Sequence, residues 1–550
     1  MSIITQEVIE YKDQHNLEEN LTKSVNEIFR TLPPDPFSNL CQLLKKNSQI
    51  TFLLNSIEIK NIIIGEFQEI PSLIITMTFQ GNTRKILTYP LPFSSSTFEK
   101  FKENYEPLLN CLNNVFNDKL TNFPIENIEK FDDFLMETLH DANSLNDDIS
   151  IALTNSFSIC AFISMSLMKE EILPQFIREI YPNYIVNENS IPNIGFTLFK
   201  TGKNMNSKIK FERFILFVNN QKRLEPKILY DLFNKIYENI HKTLTAGKAG
   251  EAGMKLNDEG SFFSPTDKIE DLYKLIEQLI KDINDENIYF GIDCNSNNYY
   301  NEKDNTYEMD GFKKPINSDE LIDFYIKLCN DHPLLLYLEE PLAEKDKEGW
   351  EKLTEKFDKE KPNITISKKV ELYKEIEEPK LILNDEEEKK EENKKEENKK
   401  EENKKEEEKK EEEKKEEEEE KNEEEESLNL PYNCVTYKLG EIKVITDMLR
   451  DIEEITKDNE EMKVNLWEYD HESEQTSIID IGFGIRANNI ILNGFTMEKQ
   501  KILKLNRFIE LINDIYENIP EEEEEEDENE QGDNPGDGEE GDKGEEEKKE

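Results

Sequence analysis

The chain of 550 residues has no CxxC pair. Its cysteines, at positions 41, 111, 160, 294, 329 and 434, are scattered, and several sit inside apolar runs. Zinc sites and secreted disulfide frameworks need closer, repeated spacing, so the pattern predicts reduced, buried thiols in a cytosolic protein. Long apolar runs are missing as well: none approaches the roughly 20 residues that span a bilayer. The opening Met1-Ser2-Ile3-Ile4-Thr5-Gln6-Glu7 lacks the basic and apolar segments of a secretion signal, so a soluble, non-secreted protein is expected. Positive charge is scarce: 69 Lys and Arg face 122 Asp and Glu, for a net charge of −53. Such a chain repels phosphate backbones and anionic lipid, which argues against nucleic-acid and membrane partners.

What charge there is comes in blocks. Residues 385–427 repeat Lys-Lys-Glu-Glu-Asn and its variants with no apolar side chain. Such a segment cannot join a core. It offers many Glu–Lys pairs four apart, each worth about 0.2–0.5 kcal/mol in a helix, so a solvated single helix and a coil are both open. Residues 517–550 read as an acidic, disordered tail. The rest of the chain is far less charged.

That remainder is organised around residues 287–341. The apolar run Ile288-Tyr289-Phe290-Gly291-Ile292 stops at Asp293. A helical pattern follows over 319–330, and a second apolar run, 334–338, stops at Glu339-Glu340-Pro341. Two buried-type strands separated by a helix predict a βαβ unit. Acids at the C-terminal ends of parallel strands meet on one face of an α/β barrel, where two carboxylates can hold a hard cation such as Mg²⁺. The same acids could instead cap helices.

The residues of this stretch resemble the enolase barrel. Phe290-Gly291-Ile292-Asp293-Cys294 with Tyr299-Tyr300 is similar to the family's G-x-D-x-A/C-x-S-E-F-Y segment. Tyr307-Glu308-Met309-Asp310-Gly311-Phe312-Lys313 is similar to Y-D-L-D-F-K, and Leu338-Glu339-Glu340-Pro341 to S-I-E-D-P. Upstream, Asn257-Asp258-Glu259-Gly260-Ser261-Phe262 resembles G-D-E-G-G-F. Downstream, Gly494, Lys501, Lys504 and Asn506 fall in register with T-G-A-P-x-R-S-E-R-x-x-K-Y-N-Q. The resemblance implies an α/β protein: an N-terminal α+β cap, then a C-terminal TIM-type α/β barrel starting near Ile191. It also implies a chemistry in which a lysine removes a proton next to a carboxylate and hydroxide leaves, with Mg²⁺ held by three acids. Carried over by position, Lys438 stands at the base and Glu259 at the leaving-group glutamate. Asp293 and Glu339 stand at two of the metal ligands, and Ser96 at the serine of a mobile substrate loop. Asn155, in an apolar helix over 151–169, matches a G-A-N-A-I-L-G-V-S segment.

The departures are heavier than the matches. The third metal ligand falls on Ser367 and Lys368, so Lys368 is expected to occupy or border the metal position. The phosphate-binding His-Arg-Ser becomes Glu468-Tyr469-Asp470, the second lysine Leu492, a second catalytic glutamate Arg213, and a loop histidine falls near Asn204. Ser94 and Phe98 replace the loop's glycines. Losing one such group commonly costs about 10²–10⁴ in rate. The expectation is a catalytically impaired enolase-like protein with a structural or interaction role, and Mg²⁺ as the one implied cofactor. The alternatives are a Mg²⁺-dependent phosphopyruvate hydratase of glycolysis and a small-molecule sensor using the old pocket. The retained acids also read as a buried ion network with Lys368 and Lys438 that holds the barrel mouth.

At the other end, Leu17, Leu21, Val25, Ile28 and Phe29 keep helical spacing, as do Phe37, Leu40, Cys41, Leu43 and Leu44 after a break at Pro33, Pro34 and Pro36. So small a hairpin needs another surface to pack on. It resembles the docking helices of the Dpy-30 and protein-kinase-A regulatory-subunit type, which implies four-helix pairing and a groove for an amphipathic helix. The start of the chain also resembles the divergent enolase-like proteins of animal sperm tails, which implies a cytoplasmic protein of the cilium or flagellar axoneme. The enolase likeness implies a homodimer. The expected divisions are a hairpin over 1–49, a cap over 50–185, a barrel over 186–516 interrupted by 385–427, and the tail.

Overall fold

A computed structural model describes residues 11–46, 52–90, 115–181, 191–370 and 430–517, apart from short stretches inside those ranges. The 385–427 insertion, the acidic tail, Ser96 and Glu259 lie outside the described residues.

Helices α1 (Leu17–Thr31) and α2 (Pro36–Lys46) pack on each other as a hairpin. Leu32 leaves α1 in the left-handed conformation, φ 46°. Pro33 and Pro34 cannot continue the helix, and the Ser38 N–H then donates to Asp35 Oδ1 at 3.0 Å to start α2. Glu18 and Glu19 sit in the first turn of α1, where the helix dipole favours them. Three antiparallel strands follow in the order β3-β2-β1: β1 (Phe52–Ile64), β2 (Gln68–Phe79) and β3 (Arg84–Pro90). Helices α3 (Ile128–Asp141), α4 (Asp147–Lys169) and α5 (Leu173–Ile180) join this layer to the barrel. The join is specific. Asn155 on α4 donates through Nδ2 to the carbonyls of Leu439 at 2.9 Å and Ile442 at 2.8 Å, fixing the turn that follows a barrel strand.

The barrel has eight strands. They are β4 (Asn193–Lys200), β5 (Arg213–Val218), β6 (Ile288–Asp293), β7 (Leu335–Glu339), β8 (Thr365–Lys369), β9 (Cys434–Lys438), β10 (Lys463–Trp467) and β11 (Asn489–Asn493). β11 pairs in parallel with β4 and closes the ring. β5 alone runs antiparallel to both of its neighbours, β4 and β6. Helices α6 (Pro226–Thr245) and α7 (Ile269–Ile283) lie between β5 and β6 in the chain. The later helices are α8 (Ser318–Asp331), α9 (Lys347–Glu360), α10 (Ile445–Lys457), α11 (Ser477–Gly484) and α12 (Lys499–Glu517). β8 and β9 pair side by side, so the charged insertion connects two adjacent barrel strands.

Alternation along the strands separates two layers. Ile292, Leu338, Ile366, Leu466 and Leu492 join the large apolar layer shared with the helices. Ile215, Phe217, Tyr337, Trp467 and Ile491 form a small separate cluster inside the ring. Burying one such side chain contributes about 1.5–3 kcal/mol. Among the described residues, no helix is long and apolar enough to cross a membrane.

Candidate functional site at the barrel mouth

Asp293 ends β6 and is fully buried. Arg213 Nη1 donates to its Oδ2 at 2.8 Å. The pairing follows from topology: β5 is antiparallel, so its first residue lies at the mouth, opposite Asp293 in register. Lys369, at the end of β8, donates from Nζ to Asp293 Oδ1 at 3.0 Å and Oδ2 at 3.1 Å, and to Glu340 Oε2 at 3.3 Å. The Trp467 ring lies beneath both cations, 5.2 Å from the Arg213 guanidinium and 5.7 Å from the Lys369 ammonium. Burial alone would favour the neutral acid, but Lys369 and Arg213 hold the Asp293 carboxyl below its ordinary value. Burial works against the Lys369 ammonium, and Asp293, Glu340 and Glu339 more than offset it.

Glu339, at the end of β7, differs. Its Oε2 accepts from Tyr337 Oη and from Thr436 Oγ1, the latter at 2.8 Å. Its Oε1 has no hydrogen-bond partner among the described residues. Burial pushes its carboxyl up to about 8, with Lys369 opposing and Asp293 adding to the rise. Burial thus favours the neutral form of Glu339, whereas Lys369 and Arg213 favour the ionised form of Asp293. Below Glu339 a polar chain runs down the barrel interior. Asn465 Nδ2 donates to Tyr337 Oη at 3.1 Å, Asn489 Nδ2 to Asn465 Oδ1 at 2.9 Å, and Asn193 Nδ2 to Asn489 Oδ1 at 3.1 Å. Buried amides joined this way fix one arrangement of the strands, because a half-made network would leave costly unpaired groups.

The two acids do not cap helices. Asn317 caps α8 with a capping box to Glu320, and Asp346 caps α9. The expected lysine needs correcting by one position. Lys368 points away from the acids, its Nζ 5.9 Å from the Tyr432 ring, and Lys369 fills the place expected for it. Glu339 stands opposite Ser367, whose Oγ meets Thr436 Oγ1 at 2.8 Å inside the barrel, so the next inward residue on β8 is Lys369. Counting by twos from that pair would have found it. Lys438 shares the parity of inward Thr436 and pairs through Nζ with Glu441 Oε1 at 2.9 Å. On β11, Leu492 faces the helix layer, whereas Asn493 accepts from Trp467 Nε1 at 3.3 Å. Glu468 is buried with Lys501, at 3.3 Å, and Lys504. Burial works to raise its carboxyl, and the two lysines keep it below the ordinary value. Sequence reasoning missed Lys369, Glu340 and Trp467, and gave Arg213 no partner.

These residues do not fit Mg²⁺. The cation needs several free carboxylate oxygens. Both Asp293 oxygens already serve an ammonium, one also serves a guanidinium, and Lys369 stands between Asp293 and Glu340. Among the described residues, no cluster of three His, Cys, Asp or Glu is arranged to hold a metal.

Comparison with known proteins agrees with the barrel. Residues 188–379 match the family model of the enolase C-terminal TIM barrel domain. The chain is 29% identical to the enolase of Sulfurisphaera tokodaii over 258 residues, which cover 45% of this chain and 56% of that one. It is 25% identical to the enolase of Sulfolobus acidocaldarius over 251 residues, with the same two shares. It is 27% identical to the enolase of Methanococcus aeolicus over 157 residues, 28% of this chain and 36% of that one. The matched region thus spans between about a third and just over half of these relatives. Through its barrel, over residues 188–379, this chain is similar to the enolase C-terminal TIM barrel domain.

Proposed function

We propose that this enolase-like protein does not catalyse dehydration and serves instead as a structural or interaction protein. The observation that carries the reading is the double clamp of Arg213 and Lys369 on Asp293. A carboxylate neutralised by two side-chain cations has little attraction left for a metal ion. Glu468, which stands where the enolase resemblance places a phosphate-binding histidine, is already committed to Lys501 and Lys504. The competing reading, phosphopyruvate hydratase, is supported by the retained Asp293, Glu339 and Lys438 at the ends of β6, β7 and β9.

The interaction role rests on the hairpin. Leu21, Phe29, Leu32 and Phe37 are 45%, 69%, 78% and 79% exposed. So much apolar surface on two short helices suits burial against a second copy and an amphipathic helix of a partner. A cilium or flagellum is the proposed setting, on the resemblance of the chain's start alone.

Proton exchange separates the readings. With 2-phosphoglycerate and Mg²⁺ in D₂O, a hydratase washes out the proton next to the carboxylate. NMR should show no exchange above a protein-free control. Exchange that disappears in Lys438→Ala would establish the hydratase reading instead.

A further inference from the structure

The cap helices meet the barrel at a buried polar joint. Asp132 on α3 and Asn155 and Ser158 on α4 gather around residues 439–446, the connection between β9 and the start of α10. Asn155 takes the carbonyls of Leu439 and Ile442. Ser158 Oγ accepts from the Ile445 N–H at 2.9 Å and donates to Asp132 Oδ2 at 2.8 Å. The same Oδ2 accepts from the Thr446 N–H at 3.3 Å and from Thr446 Oγ1 at 2.9 Å. The first amides of a helix have no partner within it, so α10 is capped here from the other layer. All three donors to Asp132 fall on one carboxylate oxygen. Oδ1 is buried and has no hydrogen-bond partner among the described residues. An ionised carboxylate with one bare, dry oxygen is costly, and a proton on that oxygen removes the charge while the three bonds on the other stay in place.

We propose that Asp132 makes this joint a pH-set clasp: neutral, it keeps α3 and α4 closed on the β9–α10 connection, and ionised, it loosens them. Burial is the main force on the acid and lifts its carboxyl to about 7, against the bonds from Ser158 and Thr446 and with a further push from Asp447. In the opened joint water returns the carboxyl to its ordinary value, 3.8. Between those two values the closed joint holds a proton that the open one has released, so each pH unit favours opening by up to about tenfold. Above about 7 both forms are ionised and the effect levels off, so the clasp tightens on acidification. The other charged and titratable groups around it are engaged with each other. Arg450 on α10 pairs with Asp133 on α3 and with Asp447, and the Tyr181 hydroxyl donates to Glu129 on α3. The connection itself carries Lys443 and the pair of Lys438 and Glu441. Because Lys438 ends β9 and leads directly into the clasped residues, the joint ties the state of the cap helices to one edge of the barrel mouth.

The test uses the full chain and hydrogen exchange read by mass spectrometry between about pH 5 and pH 8, each rate divided by the intrinsic rate of its amides at that pH. In wild type, opening of the peptides that cover residues 439–449 should rise by up to about tenfold per pH unit and level off near 7. In Asp132→Asn, which is neutral at every pH, the slope should vanish. In Glu339→Gln, which removes the other strongly raised acid, it should persist. Thr446→Val takes one donor from the ionised oxygen, so its levelling-off should move to higher pH. A flat wild-type profile would overturn the proposal, as would a slope that survives in Asp132→Asn or disappears in Glu339→Gln. Should Asp132→Asn not fold, the wild-type and Thr446→Val profiles decide: a slope whose end point moves upward upholds the proposal, and an unmoved end point overturns it.

Discussion

Arg213 and Asp293 face each other in register across antiparallel strands, 2.8 Å apart, with the acid fully buried and the guanidinium stacked over Trp467. The register of β5 against β6 places the pair side by side. Removing one partner of a buried pair leaves the other charge uncompensated and costs about 3–5 kcal/mol. Arg213→Met should lose stability on that scale in urea unfolding, less whatever Lys369 retains. The double variant Arg213→Met with Asp293→Asn should recover a large part. Equal losses in the single and double variants would mean that the pair contributes packing and no electrostatic coupling.

Glu339 should make the protein less stable as pH rises. Its folded-state value, about 8, lies above the ordinary 4.5. Between those values the folded chain holds a proton that the unfolded chain has released, so stability falls as pH climbs from about 5 to about 8. One pKa unit is about 1.4 kcal/mol, which makes the effect on the order of a few kcal/mol. Asp132, pushed up to about 7 by burial, slopes the same way and remains in any Glu339 variant. The quantity to measure is therefore the difference in urea stability between Glu339→Gln and wild type across this range. That difference should grow in favour of Glu339→Gln as pH rises. A flat difference would mean that Glu339 is ionised throughout.

The hairpin offers a third check. With Phe29 and Phe37 largely exposed on separate helices, a charge at either position costs the folded hairpin little. Phe37→Asp in the full chain should leave the thermal transition of the barrel within about 0.5 kcal/mol of wild type, as for other surface changes. It should weaken self-association in light scattering at least tenfold. An unchanged mass would assign any dimer to another surface.

Much of this architecture is legible in the residues, because period-two and period-3.6 patterns are local. The runs before Asp293 and Glu339, the helix between them, and the break at Pro33 and Pro34 all appear where spacing predicts. Facing is less legible. On β8 an error of one residue exchanges Lys368 for Lys369 and moves the charge from one side of the barrel wall to the other. On β11 the same slip exchanges Leu492 for Asn493. The partner of Arg213 is 80 positions away, and only an antiparallel strand brings it there. The asparagine chain below Glu339 draws on β4, β10 and β11, and no short-range signal announces it.

The most direct measurement is the conversion of 2-phosphoglycerate to phosphoenolpyruvate, followed by absorbance with purified full-length protein and excess Mg²⁺. A neutralised Asp293 and the clamp on it predict no turnover above a protein-free control, in wild type and Lys438→Ala alike. Turnover by wild type that needs Mg²⁺ and vanishes in Lys438→Ala would contradict the account at its centre.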